Sequence, residues 1–125
     1  MQVVDKLMMF HMAVSDMPKA KEFYADNLGL KVAQDYRQDD NNWWVSLTLP
    51  GGGASINLTT AHENMKPGTM KLYFVTSDVV AANKELSAKG LEVNEVKDDL
   101  YGPGSGVKWF NLEDSDGNQV FLVQV

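Results

Sequence analysis

The chain carries the same arrangement twice. Met9-Phe10-His11-Met12-Ala13-Val14-Ser15-Asp16 is an apolar run closed by an acid, followed by a helix-like stretch that ends in Asn27-Leu28-Gly29-Leu30-Lys31-Val32. Lys71-Leu72-Tyr73-Phe74-Val75-Thr76-Ser77-Asp78 repeats that order, and its own helix-like stretch ends in Ala88-Lys89-Gly90-Leu91-Glu92-Val93. Asp78 stands 62 positions after Asp16, and Gly90 stands 61 after Gly29. Each copy continues into two further strand-like runs around a glycine turn, Pro50-Gly51-Gly52-Gly53 in the first and Ser115-Asp116-Gly117-Asn118 in the second. Self-similarity of this period means one supersecondary unit used twice, with one site expected between the copies.

The local signals fill in each copy. Residues 7–14 read as a buried strand. Asp16 is an N-cap with Pro18 in the first turn, and Ala20, Phe23, Tyr24 and Leu28 at helical spacing form the face that packs on a sheet. Gly29 closes the helix in the left-handed conformation. Residues 30–36 are a predicted strand and Gln38 to Asn42 a polar turn. Trp43, Val45, Leu47 and Leu49 alternate with Trp44, Ser46 and Thr48, and Ile56 and Leu58 alternate with Ser55, Asn57 and Thr59, as strands require. Trp43 falls on the core side. Thr60 to Thr69, with Pro67-Gly68, reads as the linker.

The second copy predicts a strand over 71–76, a helix over 79–89 capped by Asp78 and stopped by Gly90, and strands over 91–96, 107–112 and 119–125. A loop rich in glycine runs from Asp98 to Gly106. The expected fold is α+β: two βαβββ modules (about 5–60 and 70–125) with mixed, curved sheets forming a cleft. The whole of 1–125 is read as a single domain, with about 61–69 as the linker.

Composition narrows the function. The net charge of −6 disfavours nucleic acid, which needs a basic face. The acidity either attracts a cationic ligand or serves solubility. There is no cysteine, so disulfides and thiolate metal sites are ruled out. No apolar run reaches the roughly 18 residues of a membrane span, and the start lacks the pattern of a signal peptide, so no membrane role and a cytoplasmic location are expected. Asn57-Leu58-Thr59 matches a glycosylation acceptor and is read as a chance match in such a location.

Several motifs together carry a family resemblance. They are Ala13-Val14-Ser15-Asp16-Met17, Glu22-Phe23-Tyr24 with Leu28-Gly29-Leu30, Tyr101-Gly102, and Leu112-Glu113-Asp114-Ser115-Asp116-Gly117-Asn118. With the duplication, they make the chain resemble the vicinal oxygen chelate superfamily, which includes glyoxalase I, bleomycin-resistance proteins, fosfomycin-resistance enzymes and extradiol dioxygenases. Ser115 stands where that family usually has proline. The resemblance implies a homodimer with a ligand cleft, but the fold hosts isomerases, transferases, dioxygenases and plain binders alike.

The resemblance also implies four metal-ligand positions, which here are Met9, Asn57, Lys71 and Phe121. A thioether, a carboxamide, an ammonium and a phenyl ring do not make a site for a divalent cation. No metal and no cofactor are therefore expected. His11 shares the face of Met9 and is read as a wall residue rather than a ligand. His62 falls in the linker. Asp39-Asp40 and Asp98-Asp99 are read as solvated loop carboxylates.

Alternation puts Met9, His11, Trp44, Ser46, Thr48, Asn57, Lys71, Tyr73, Trp109, Asn111 and Phe121 on the cleft face. This is the aromatic lining with sparse polar anchors of a small-molecule pocket. Trp44 and Trp109 either stack on a flat or cationic ligand or cover an interface. Lys71, with His11 and Tyr73, either anchors a carboxylate or simply reaches solvent. The loop from Tyr101 to Gly106 is expected to be a mobile edge of the cleft.

The leading expectation is a metal-free protein that binds a small organic molecule, similar to the drug-sequestering bleomycin-resistance branch. The alternatives are an enzyme (isomerase, lyase or dioxygenase-like) using His11 and Tyr73 as catalytic candidates or an atypical metal site, and a scaffold module with no ligand.

Overall fold

The computed structural model describes residues 1–125. The chain divides into two compact units, Met1–Gly68 and Thr69–Val125. No helix is long and apolar enough to cross a membrane.

In the first unit, β1 (Met9–Ala13), β2 (Lys31–Asp39), β3 (Asn42–Thr48) and β4 (Ser55–Thr59) form one mixed sheet in the order β1-β4-β3-β2. The β1–β4 pair is parallel, and the other neighbours are antiparallel. Helix α1 starts at Met17, where the Asp16 carboxylate accepts from the Lys19 N–H at 3.0 Å, with Pro18 in the first turn. Its apolar stripe, Met17, Ala20, Phe23 and Tyr24, is buried together with Met12, Val45, Leu47, Ile56 and Leu58 from one face of the sheet. Met9 and Phe10 are half-buried, His11 is exposed and Met12 and Ala13 are buried, while Leu7 and Met8 are exposed, so the buried strand is shorter than the apolar run.

The helix is not α-helical throughout. After Lys21 it continues as a π-helix over Glu22–Asn27, with Leu28 N–H donating to Phe23 five residues back at 3.0 Å. The wider turn lets two consecutive aromatics, Phe23 and Tyr24, both be buried, edge to face at 4.9 Å. Gly29, at φ 85°, then ends the helix as expected.

Two further expectations are corrected here. The strand expected over 30–36 runs on to Asp39, which shortens the polar turn. It is an exposed edge strand interrupted by two register shifts, a form that discourages pairing with another chain. Trp43 is half-buried rather than core. Its indole N–H donates to Asp35 at 2.7 Å, and Arg37 lies 4.4 Å over its ring, so the polar edge of the indole holds it at the margin of the helix layer. His62, in the expected linker, lies 2.6 Å from the Val14 carbonyl and ties that segment back to the end of β1.

In the second unit, β5 (Lys71–Val75), β6 (Lys108–Glu113) and β7 (Gln119–Gln124) form a sheet in the order β5-β7-β6. The parallel pair recurs as β5–β7. Helix α2 (Val79–Ala88) is capped by Asp78, which accepts from the Ala81 N–H at 3.0 Å, and it buries Val79 and Leu86. The Asp16 and Asp78 caps share one geometry, φ −139° and ψ 100° against φ −144° and ψ 95°. The duplication is therefore structural.

The strand expected over 91–96 is absent, which leaves seven strands rather than eight. The segment does run beside β6, but out of register. Asn94 bonds the Asn111 carbonyl, Lys97 exchanges both bonds with Trp109, and Leu100 bonds the Val107 carbonyl. Three residues of the segment thus oppose two of β6, twice over, as in successive bulges. Asn94 explains the break at its start. Its side-chain Oδ1 accepts the Asn111 N–H at 2.6 Å, and its backbone carbonyl is taken by Asn83 of α2 at 2.9 Å.

Candidate functional site

Each sheet packs one face against its helix and leaves the other for function. In both units the register of the parallel pair identifies the non-helix face. His11 lies opposite Asn57 in the first pair, and Tyr73 opposite Phe121 in the second. Met9 and Lys71 occupy matching positions, as do Asn57 and Phe121, which resolves the register of the Asn57 strand.

The first unit brings together six of the expected residues. Met9 and His11 on β1, Asn57 on β4, and Trp44, Ser46 and Thr48 on β3 share one face. His11 is exposed, while Met9, Trp44, Ser46 and Thr48 are half-buried. Asn57, on an inner strand, is buried. Trp44 lies 5.9 Å from Tyr36 of β2, a residue that the sequence reading did not include.

The second unit brings together the other five. Lys71 and Tyr73 of β5, Phe121 of β7, and Trp109 and Asn111 of β6 share one face. Phe121 lies at the centre of an aromatic row. Tyr73 stacks on it in parallel at 4.4 Å and 8°, and Trp109 tilts against it at 5.7 Å and 40°. Trp109 is held by the irregular segment beside it. Its indole N–H donates to Asp99 at 3.0 Å, and Lys97 sits 5.7 Å from the ring centroid. Asp99 thus has a structural partner and is not merely a solvated carboxylate. Asn111 donates to Gln119 at 3.0 Å, and Gln119 donates on to Glu113 at 2.9 Å, which makes a polar end to the row. Lys71 is exposed.

Beside this row lies a cavity of about 420 Å³, lined by Tyr73, Phe74, Val75, Leu100, Tyr101, Val123 and Val125. That volume is in the usual range for small-molecule sites. Val75 and Val123 were legible in principle, because they continue the alternation of Tyr73 and Phe121. Leu100 belongs to the loop, and no periodic signal marks it.

A family model described as the Glyoxalase/Bleomycin resistance protein/Dioxygenase superfamily matches residues 5–122. The chain belongs to this superfamily. Among solved structures, TnmS3, an antibiotic-binding protein from Streptomyces sp. CB03234, is similar at 27% identity and a TM-score of 0.85, with 99% of this chain and 98% of that one covered. A glyoxalase/bleomycin resistance protein from the same Streptomyces is similar at 28% identity, TM-score 0.77, covering 95% and 100%. A superfamily member from Sphaerobacter thermophilus DSM 20745 is similar at 27% identity, TM-score 0.79, covering 98% of each chain. No curated protein matches the chain.

Superfamily membership raises the question of a metal, and the donor set answers poorly to one. Asn57 Nδ2 already donates to the Met9 thioether at 3.1 Å, Phe121 is committed to Tyr73, and Lys71 carries the ion's own sign of charge. No three His, Asp or Glu side chains stand together in a way that could hold an ion. The residues at these positions do not fit a hard divalent cation.

Proposed function

We propose that this protein binds a small, flat, largely apolar organic molecule, with the Tyr73–Phe121–Trp109 row as the stacking surface and the adjoining cavity as its pocket. The observation that carries the reading is that row, Tyr73 stacked on Phe121 with Trp109 tilted against it and held by Asp99 and Lys97. A rigid aromatic surface loses little conformational entropy when a ligand stacks on it. The similarity to an antibiotic-binding protein supports the same reading. We further propose that binding needs no metal, that the two modules serve as a single domain over 1–125, and that the chain works as a cytoplasmic homodimer without nucleic-acid or membrane partners.

Calorimetric titration with acridine and 2-naphthol tests the ligand reading. Tyr73→Ala and Trp109→Ala should each weaken binding about tenfold, since a stacked pair contributes about 0.5–1.5 kcal/mol beyond its buried area. Their melting temperatures should stay within a few degrees of the parent. Unchanged affinity in both variants, or no binding of either compound, would refute the reading.

A further inference from the structure

We infer that the molecule held by the second unit is an aromatic carboxylic acid, its rings against Tyr73 and the adjoining cavity and its carboxylate on Lys71. This rests on the small-molecule reading above and names the class of molecule that the surface selects.

The free face of the second sheet is graded along its strands. The register lays three rungs across it: Lys71, Gln119 and Glu113 at one end, Tyr73, Phe121 and Asn111 in the middle, and Val75, Val123 and Trp109 at the other. The cavity takes Tyr73, Val75 and Val123 from these rungs, so it lies at the apolar end. Tyr73 is stacked on Phe121 and still 56% exposed, which leaves its outer face to a ligand. Two residues along a strand span about 7 Å. A ring seated against Tyr73 therefore has the cavity on one side and the Lys71 ammonium within reach on the other.

The three rungs hold two charges, and one of them is unmet. Glu113 accepts from Gln119 at 2.9 Å. Lys71 takes part in neither of the chain's two ion pairs, Lys21–Asp35 and Arg37–Asp40. The residue opposite it is Gln119, whose side-chain oxygen already accepts from Asn111 at 3.0 Å. β5 is an edge of this sheet, so no further strand of it brings a carboxylate to Lys71. One ammonium matches one carboxylate. A phosphate, with more charge and more acceptors, would call for a second cation that these rungs do not hold.

The test compares 2-naphthoic acid with 2-naphthamide, a neutral counterpart of the same shape, by calorimetric titration of the full chain at pH 7 and low ionic strength. The native chain should bind the acid about fivefold more tightly, the scale of one charge pair at an exposed site. In Lys71→Met, which keeps the apolar stem, the preference should vanish or reverse, since the chain's net negative charge alone then acts on the acid, while the amide binds as before. Lys71→Arg should retain the preference. Lys108→Met removes an exposed lysine one position from Trp109, hence on the opposite face, and should leave the preference unchanged. An edge lysine also discourages pairing with another chain, but loss of that role alone would not move the ratio of the two affinities. Equal affinities in the native chain, a preference that survives Lys71→Met, or one lost equally in Lys108→Met would overturn the inference while leaving the aromatic row as a binding surface. Binding of neither compound would overturn the small-molecule reading and this inference with it.

Discussion

The Asn118 side chain should be among the most costly single truncations in the second unit. It is fully buried in the turn between β6 and β7. Its Nδ2 donates to Asp114 Oδ2 at 2.8 Å, and its Oδ1 accepts the Met70 N–H at 2.9 Å. One amide thus joins the β6–β7 turn to the entry of β5, where Gln119 N–H also bonds the Met70 carbonyl at 3.0 Å. Asn118→Ala removes both side-chain bonds and keeps the backbone N–H bond to Asp114 Oδ1. Losing a bond to a charged, 8% exposed carboxylate costs about 1.5–3 kcal/mol, and leaving the Met70 N–H short of a partner adds about 1 kcal/mol or more. The expected loss is about 3 kcal/mol. At this chain length that lowers the melting temperature by roughly 10 °C. Urea unfolding followed by circular dichroism measures it. Combining Asn118→Ala with Asp114→Ala should cost clearly less than the sum of the two, because they share one bond. A loss under about 1 kcal/mol, or strict additivity, would show that the turn is held by its backbone alone and refute the reasoning.

Two further predictions follow from other parts of the fold. Asp16→Ala and Asp78→Ala should each destabilise by about 1 kcal/mol, and by similar amounts, since both caps accept at 3.0 Å from the third residue on; chemical denaturation of the two variants checks this. Asp35 is held below the ordinary carboxylate range, chiefly by its 2.5 Å bond from Lys21, with the Trp43 N–H assisting. A carboxyl whose folded value is depressed contributes stability that is fully present above its unfolded value near pH 4 and is lost as pH falls through the lower folded value. Lys21→Met should therefore cost about 0.5 kcal/mol at pH 7, a small figure because both partners are about a third exposed, and the difference should fade in parallel melting curves as the pH is taken below the ordinary carboxylate range.

What was legible in the sequence was local or periodic. Asp16, Asp78, Gly29 and Gly90 mark helix ends by their own chemistry, and the alternation along Tyr73, Phe121, Trp109 and Asn111 places them on one face whatever the details of the sheet. What was not legible depended on partners distant in sequence. The π-helix follows from burying Phe23 and Tyr24 together, and their order is equally consistent with an ordinary α-helix. The missing strand over 91–96 follows from Asn94, whose short amide competes with the backbone for the Asn111 N–H, a competition visible only once β6 lies beside it. Trp43 alternates as a core residue should, and only Asp35, brought across from β2, draws its indole to the margin. Leu100 reaches the cavity through a loop whose path no periodicity encodes.

The duplication itself explains why the two free faces differ. Matching register positions hold His11 and Asn57 in one unit and Tyr73 and Phe121 in the other. The frame fixes where these side chains stand, because the parallel pair and the helix behind it leave no freedom of register: a slip by one residue would turn Ile56 and Leu58, or Val120 and Leu122, out of the core. The identity of the residues on the free face is under no such constraint. One copy can therefore carry a buried amide whose carbonyl oxygen lacks a partner, which costs stability, and the other a row of stacked rings, which does not. A protein kept only for its stability would exchange Asn57 for an apolar residue of the same size. The orphaned Oδ1 of Asn57 therefore stands where selection for stability alone would not keep it, whereas the stacked rings of the other copy carry no such cost.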